Sequence, residues 1–216
     1  MAVERIPGPL ASLYEKGARM VIDSYYSEVA DEIVAHLQSG TILDLGTGPG
    51  YLPIEIVKRA PAIRIDGIDL TLKLIKMARE NSERAQVADR LHFEVGNAAN
   101  LRFDDNSYDM VISTGMLHSL KDPVGVINEC YRVLKPGGEA WIFDPARVSS
   151  AIDVRKWIAS LTLWEKLLGI LFALGQRFNP AHTYNQQQAI EIVSATDFAD
   201  YSIEEGNGEI KIKLRK

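Results

Sequence analysis

The sequence predicts an α/β fold, a doubly wound and mostly parallel sheet that ends in an antiparallel hairpin. Three observations predict it. From about residue 41, short apolar β-prone runs alternate with segments of helical period, the pattern of βαβ units. The first run, Thr41 to Leu45, breaks into glycines at positions 46, 48 and 50 and leads straight into a helix-patterned stretch. Near the end of the chain two alternating runs, Tyr201–Glu205 and Glu209–Leu214, flank Gly206-Asn207-Gly208, a glycine-rich hairpin turn. At 216 residues the chain suits a single domain with a full core. It divides into a helical N-terminal cover over 1–40, a core over 41–145, a helical cap insertion over 146–184, and a last helix with the hairpin over 185–216.

Residues 1–40 read as two helices, and Tyr25–Leu37 has a clear apolar face. Strands follow at Thr41–Leu45, Ile63–Asp69, Leu91–Gly96, Tyr108–Ser113 and Glu139–Asp144. Between them the helical period falls on Leu52–Arg59, Leu72–Gln86 and Asp122–Leu134. Ala60-Pro61 is placed to stop the first of these helices and Pro136-Gly137-Gly138 the third. Cys130 lies on the third helix at apolar spacing with Val126, Val133 and Leu134, which marks it as core rather than nucleophile.

Composition excludes several functions. The single cysteine leaves no internal disulfide and no thiol cluster for a metal. The four histidines, His36, His92, His118 and His182, lie far apart without ligand spacing. A net charge of −5 gives no electrostatic footprint for nucleic acid. Met1 to Leu10 carries two prolines and charges but no apolar signal segment, so the cytoplasm is the expected compartment.

The chemistry concentrates at Asp44-Leu45-Gly46-Thr47-Gly48-Pro49-Gly50. Glycines at alternate positions let the backbone turn sharply and approach a ligand, because no Cβ intervenes. A strand that turns into a helix in this way aims unpaired N–H groups at that ligand. A dinucleotide loop spaces its glycines as G-x-G-x-x-G, and its last glycine would fall where this chain has Tyr51. Asp44, two residues before the first glycine, would repel a pyrophosphate and attract an ammonium. Strand two ends at Asp69-Leu70, and an acid there can accept two hydrogen bonds from a ribose diol, which points to a nucleoside without saying which one.

Further motifs follow in order: Gly96-Asn97-Ala98-Ala99 after strand three, Ser113-Thr114-Gly115-Met116-Leu117-His118 after strand four, and Arg132-Val133-Leu134-Lys135-Pro136-Gly137-Gly138 before strand five. Together with the glycine turn they resemble the small-molecule branch of the class I S-adenosylmethionine (SAM)-dependent methyltransferases, of the type 11 kind. The resemblance covers residues 41–145 with order and spacing intact, and more loosely the hairpin. It implies a Rossmann-like fold, SAM as cofactor and S-adenosylhomocysteine (SAH) as its product. It places Asp44, Gly46, Thr47, Gly48, Gly50, Tyr51, Asp69, Leu70, Asn97, Ala98 and Thr114 around the cofactor. Where the family commonly has an acid to take the adenine amino group, this chain has Asn97, whose amide oxygen still accepts but without charge. Arg102 replaces the family's usual proline.

A sulfonium methyl is already electrophilic, so orientation of the acceptor is the main catalytic task. A general base helps when the acceptor is an alcohol, phenol or protonated amine. His118, on the carboxyl edge just after strand four, is the candidate, beside the reading that it packs or caps the next helix; Asp144 and Tyr14 are lesser candidates. Base-methylating enzymes usually carry an Asn/Asp-Pro-Pro-Tyr/Phe loop where this chain has Ser113-Thr114-Gly115-Met116, which argues against nucleic acid. Arsenite methylation would want several thiols. Within the cap, the apolar stretch Trp157–Leu174 is interrupted by Glu165 and Lys166, which argues against a membrane span. It reads as a buried cap, an apolar lid over the acceptor, or an interfacial or homodimer surface. The expected function is methyl transfer to a small, apolar or aromatic acceptor at O, N or C. The alternatives are a non-catalytic SAM-binding protein acting through partner contacts and a nucleotide-dependent oxidoreductase.

Overall fold

The strand β1 (Ser39–Leu45) occupies the middle of the sheet because its side chains are apolar on both faces. Ile42 enters one core cluster, and Leu43 and Leu45 enter the other. The computed structural model describes residues 25–145, 183–206 and 209–216. β1 pairs in parallel with β2 (Ala62–Asp69) on one side and with β4 (Tyr108–Thr114) on the other. β3 (Leu91–Val95) adds outside β2, and β5 (Leu134–Pro145) outside β4, both parallel. The hairpin of β6 (Asp200–Gly206) and β7 (Glu209–Arg215) closes the sheet antiparallel, in the order β3-β2-β1-β4-β5-β7-β6.

Helices cover both faces, as the predicted doubly wound architecture requires. α1 (Ser27–His36), α2 (Tyr51–Arg59) and α3 (Leu72–Arg84) bury residues such as Ile33, Ile56 and Ile75 against Ile42, Ile65, Phe93, Trp141 and Phe143. On the opposite face α4 (Pro123–Val133) and α5 (Gln186–Ser194) pack Ile127, Cys130 and Val193 against Leu43, Val111, Ile142 and Ile212. Cys130 is buried there and its thiol is pushed up to about 12 by that burial, in keeping with a packing role. Two helix starts carry their own signals. The Asp122 side chain accepts from Gly125 N with Pro123 at the first helical position, and Asn185 and Gln188 form a reciprocal capping box.

One boundary differs from the sequence expectation. Pro136-Gly137-Gly138 does not stop α4, which ends at Val133, but bends the start of β5. Lys135 precedes a proline and is biased towards extended backbone, so the strand begins before the Pro-Gly-Gly step. Leu134 pairs with Tyr108, the register shifts, and pairing resumes at Met110 with Glu139. Gly137, at φ +80°, donates to Lys216 O, and Lys216 N donates back to Gly138 O.

α1 is clamped to the far end of the chain. Glu32 pairs with Lys211 at 2.6 Å and Lys213 at 2.8 Å, and the Lys213 ammonium lies 3.7 Å from the Trp141 ring centre. Of the residues read as cover and cap, 1–24 and 146–182 lie outside the described residues, and with them Tyr14 and Trp157–Leu174.

Phe93 is the wedge of this architecture. It is 2% exposed, and a Cβ added to either Gly50 or Gly67 would stand within 2.9 Å of its ring. Phe93→Ala should lower the unfolding free energy by about 3–5 kcal/mol, the scale for truncating a buried aromatic, as read from urea denaturation.

Candidate active site

The glycine turn is held to β2 by its own backbone. Gly46 N and Thr47 N both donate to Ile68 O at 2.9 Å, and Gly50 N donates to Thr47 O. Gly46, Gly48 and Gly50 all have positive φ, at 73°, 54° and 78°, which L side chains adopt only with strain. Two of these glycines also answer to packing inside the protein. A Cβ on Gly50 would lie 2.9 Å from Ala78, and one on Gly46 would lie 3.1 Å from Met116 Sδ. Asn81, which the sequence reading did not single out, donates from α3 to Pro49 O at 2.9 Å and braces the turn from below.

The carboxylates lie where the sequence placed them. Asp69 Oδ2 accepts from Gly48 N at 3.2 Å and Oδ1 from Thr71 N at 2.7 Å, so the acid at the end of β2 is tied into the glycine turn. Asp44 is 2% exposed. Burial lifts its carboxyl to about 7; the Asp69 charge acts the same way and Thr47 opposes it. No cation among the described residues contributes. Thr47 Oγ1 is itself buried and meets no partner at full hydrogen-bond geometry among the described residues, although it lies close enough to Asp44 to favour that carboxylate. A buried hydroxyl and two acids around a glycine turn suit a ligand that brings positive charge and donors, and Asp44 disfavours a pyrophosphate.

The remaining cofactor candidates lie at the same carboxyl edge of the sheet. Tyr51 opens α2 and Leu70 follows Asp69, both half-buried. Ala98 is buried, while Asn97 is exposed and its Oδ1 accepts from Ala99 N at 3.0 Å, which closes a local turn. One lone pair of that oxygen is therefore left for a ligand. Thr114 ends β4 next to Gly115, whose N–H donates to Phe143 O. Arg102 is exposed and nothing in the structure explains it.

His118 and Asp144, separate candidates in the sequence, meet. His118 N donates to Asp144 Oδ2 at 2.9 Å, and Nδ1 lies 3.1 Å and 3.2 Å from the two carboxylate oxygens. The Asp144 side chain is fully buried at the end of β5 and that of His118 is 15% exposed. A carboxylate partner selects the tautomer with hydrogen on Nδ1 and leaves Nε2 as an acceptor. Met116, packed on Gly46, couples this turn to the glycine turn. Tyr184, which no motif marked, lies near enough to Asp144 that burial, with the Asp144 charge second, raises its phenol above the usual range.

Comparison with known proteins finds likeness to methyltransferases in sequence and fold. Residues 43–142 match the family model described as a methyltransferase domain. A demethylmenaquinone methyltransferase from Lactiplantibacillus plantarum is 34% identical over 141 residues, 64% of this chain and 59% of that protein. The ubiquinone/menaquinone biosynthesis C-methyltransferase UbiE of Geotalea daltonii is 26% identical over 182 residues, 82% of this chain and 74% of that one. A crystal structure from Methanococcus maripaludis, described as a candidate S-adenosyl-L-methionine-dependent methyltransferase, superposes with a TM-score of 0.77 at 22% identity over 97% of this chain and 93% of its own, a likeness of fold. The chain thus spans about 59% of the length of the Lactiplantibacillus relative.

Two outcomes test the turn. Asp69→Ala should weaken SAH binding by about 1.5–3 kcal/mol, the scale of hydrogen bonds to a charged group, and unchanged calorimetric affinity with the fold intact would refute the role. Asp44 titrates in the folded chain near 7, above its ordinary 3.8. The folded state is therefore penalised increasingly as pH rises from about 4 to 7, and by a constant amount above. Without ligand, Asp44→Asn should be more stable than wild type at pH 8, and thermal melts should show that gain vanishing towards pH 4.

Proposed function

We propose, from the methyltransferase-domain match over residues 43–142 and the likeness to quinone methyltransferases, that the chain is a class I SAM-dependent methyltransferase of the type 11 kind and transfers a methyl group from SAM to a small aromatic acceptor bearing a hydroxyl group. The quinone-related substrates in the names of its relatives support the choice of an aromatic ring. The observation that carries the reading is the shared edge. The acid-lined glycine turn ends β1, and the His118–Asp144 pair ends β4 and β5, two strand spacings or roughly 10 Å away. Cofactor chemistry and proton chemistry thereby stand side by side at the carboxyl ends of the strands, where open α/β sheets bind ligands.

When bound, SAM supplies a methyl carbon that is electrophilic without further activation. Asp69 would accept the ribose hydroxyls, Asn97 and Ala98 would meet the base, and Asp44 would neutralise the ammonium of the amino acid tail. His118 takes the proton of the acceptor hydroxyl on Nε2, which makes the oxygen, or the ring carbon conjugated to it, the attacking atom. Asp144 holds the imidazole in place and stabilises the cation that forms. Asp44 disfavours the oxidoreductase alternative, since it stands beside the glycine turn where a pyrophosphate would need donors.

The test is methyl transfer from labelled SAM to hydroxynaphthalenes. His118→Ala should lower turnover by about 10²–10⁴-fold, the usual worth of a positioned base, with SAH affinity retained. Asp144→Asn should fall in the same direction. Full activity in His118→Ala would remove the histidine from the reaction.

A further inference from the structure

Pro49 sits in the glycine turn with a single backbone group to hold it by. Its ring fixes φ and removes the N–H, so the carbonyl is its whole hydrogen-bonding capacity. The residues on either side, Gly48 and Gly50, have φ of 54° and 78° and no side chain to restrain them. Gly48 N donates to Asp69 Oδ2, and Gly50 N donates to Thr47 O at 3.0 Å. The Pro49 carbonyl accepts from Asn81 Nδ2 at 2.9 Å, in a bond buried inside the protein. The peptide between Pro49 and Gly50 is thereby held at both ends, its N–H within the turn and its C=O by a different element.

The helix that supplies this bond has no packing need for an amide. α3 buries Leu74, Ile75, Ala78, Asn81 and Ser82, spaced three and four apart along one face. Asn81 is 7% exposed, and an amide buried there costs stability unless it is hydrogen-bonded, whereas leucine, branched at the same atom, would add apolar contact. The same helix reaches the site at two more points. Ala78 lies under Gly50, where an added Cβ would stand 2.9 Å from the alanine methyl carbon. Thr71, the N-cap of α3, donates from its backbone N to Asp69 Oδ1 at 2.7 Å. One rigid element therefore sets both the glycine turn and the acid at the end of β2.

We propose that Asn81 is a positioning residue for the cofactor: by holding the Pro49 carbonyl it fixes the glycine turn in its binding form before SAM arrives. The proposal rests on the cofactor reading above and adds to it a residue outside the motifs, which acts through the backbone of the turn. A turn built from three glycines has much freedom to lose, and a loop ordered in advance binds more tightly than one that must order on contact. Removing the donor therefore acts on affinity for SAM and SAH, over and above its effect on stability.

The experiment measures SAH affinity by calorimetry on the full chain between pH 5 and 8. Asn81→Leu, which fills the space but donates nothing, should weaken SAH by about two- to tenfold, the scale of one neutral hydrogen bond. Asn81→Asp gives the sharper readout. As a carboxylate it offers the Pro49 carbonyl only acceptors; as a carboxylic acid, which burial favours, it has one O–H to donate. The ratio of its dissociation constant to that of wild type, taken at each pH so that titration of Asp44 cancels, should fall towards one as pH falls from 8 to 5. Ile33→Val, which thins the same core cluster from α1, should lower thermal stability and leave SAH affinity unchanged. Affinity equal to wild type in folded Asn81→Leu, or an Asn81→Asp ratio that stays constant with pH, would overturn the proposal and leave Asn81 a packing residue in a SAM-binding protein. If Asn81→Leu does not fold, the pH series of Asn81→Asp decides. A wild type that binds no SAH would overturn the cofactor reading itself and this proposal with it.

Discussion

Two amide protons on one carbonyl set the rest of the site. Gly46 N and Thr47 N converge on Ile68 O, so the chain leaving β1 is fastened to the end of β2 before it turns. That fastening brings Gly48 N to Asp69 and buries Thr47 and Asp44 below the turn. Left-handed backbone at three alternate residues is the geometric condition, and only glycine meets it three times without strain. Phe93 and Asn81 then support the turn from beneath, one by volume and the other by a hydrogen bond.

The electrostatic arrangement has the same origin. Parallel strands deliver their carboxyl ends to one edge, and acids that end β1, β2 and β5 therefore gather without any local sequence relation between them. Asp69 lies near enough to Asp44 to add to the rise of its carboxyl, and Asp144 acts on Tyr184 and Glu209. Negative charge at this edge is a standing cost of the fold that a cationic cofactor relieves.

Much of this was legible in the residues. Central strands read clearly because they are apolar on both faces, and the glycine turn read clearly because its spacing is local. The Pro-Gly-Gly step misled, since the same residues that stop a helix can bend a strand, and only pairing with β4 and Lys216 decides between them. His118 and Asp144 were each legible as strand-end residues. Their contact was not, because 26 positions separate them and only the sheet order brings them together. Glu209 had no signal at all: nothing in a hairpin names a tyrosine 184 positions earlier as its partner. Gly67, inside β2, carried a faint one, since glycine in a strand marks close approach of another group, here Phe93 and Thr47.

The contacts of α1 with the hairpin have a consequence for how the molecule is made. Tyr25 and Glu32 find their partners 179 to 184 positions downstream, so this helix, near the start of the chain, cannot complete its attachment until the final strand has been synthesised. Until then β5 is an edge strand, with the Trp141 and Phe143 face short of the Lys211 and Lys213 that cover it. Assembly on the ribosome is therefore sequential in β1 to β5 but closes as a ring only with β7, when one hairpin both ends the sheet and captures a helix made before β1.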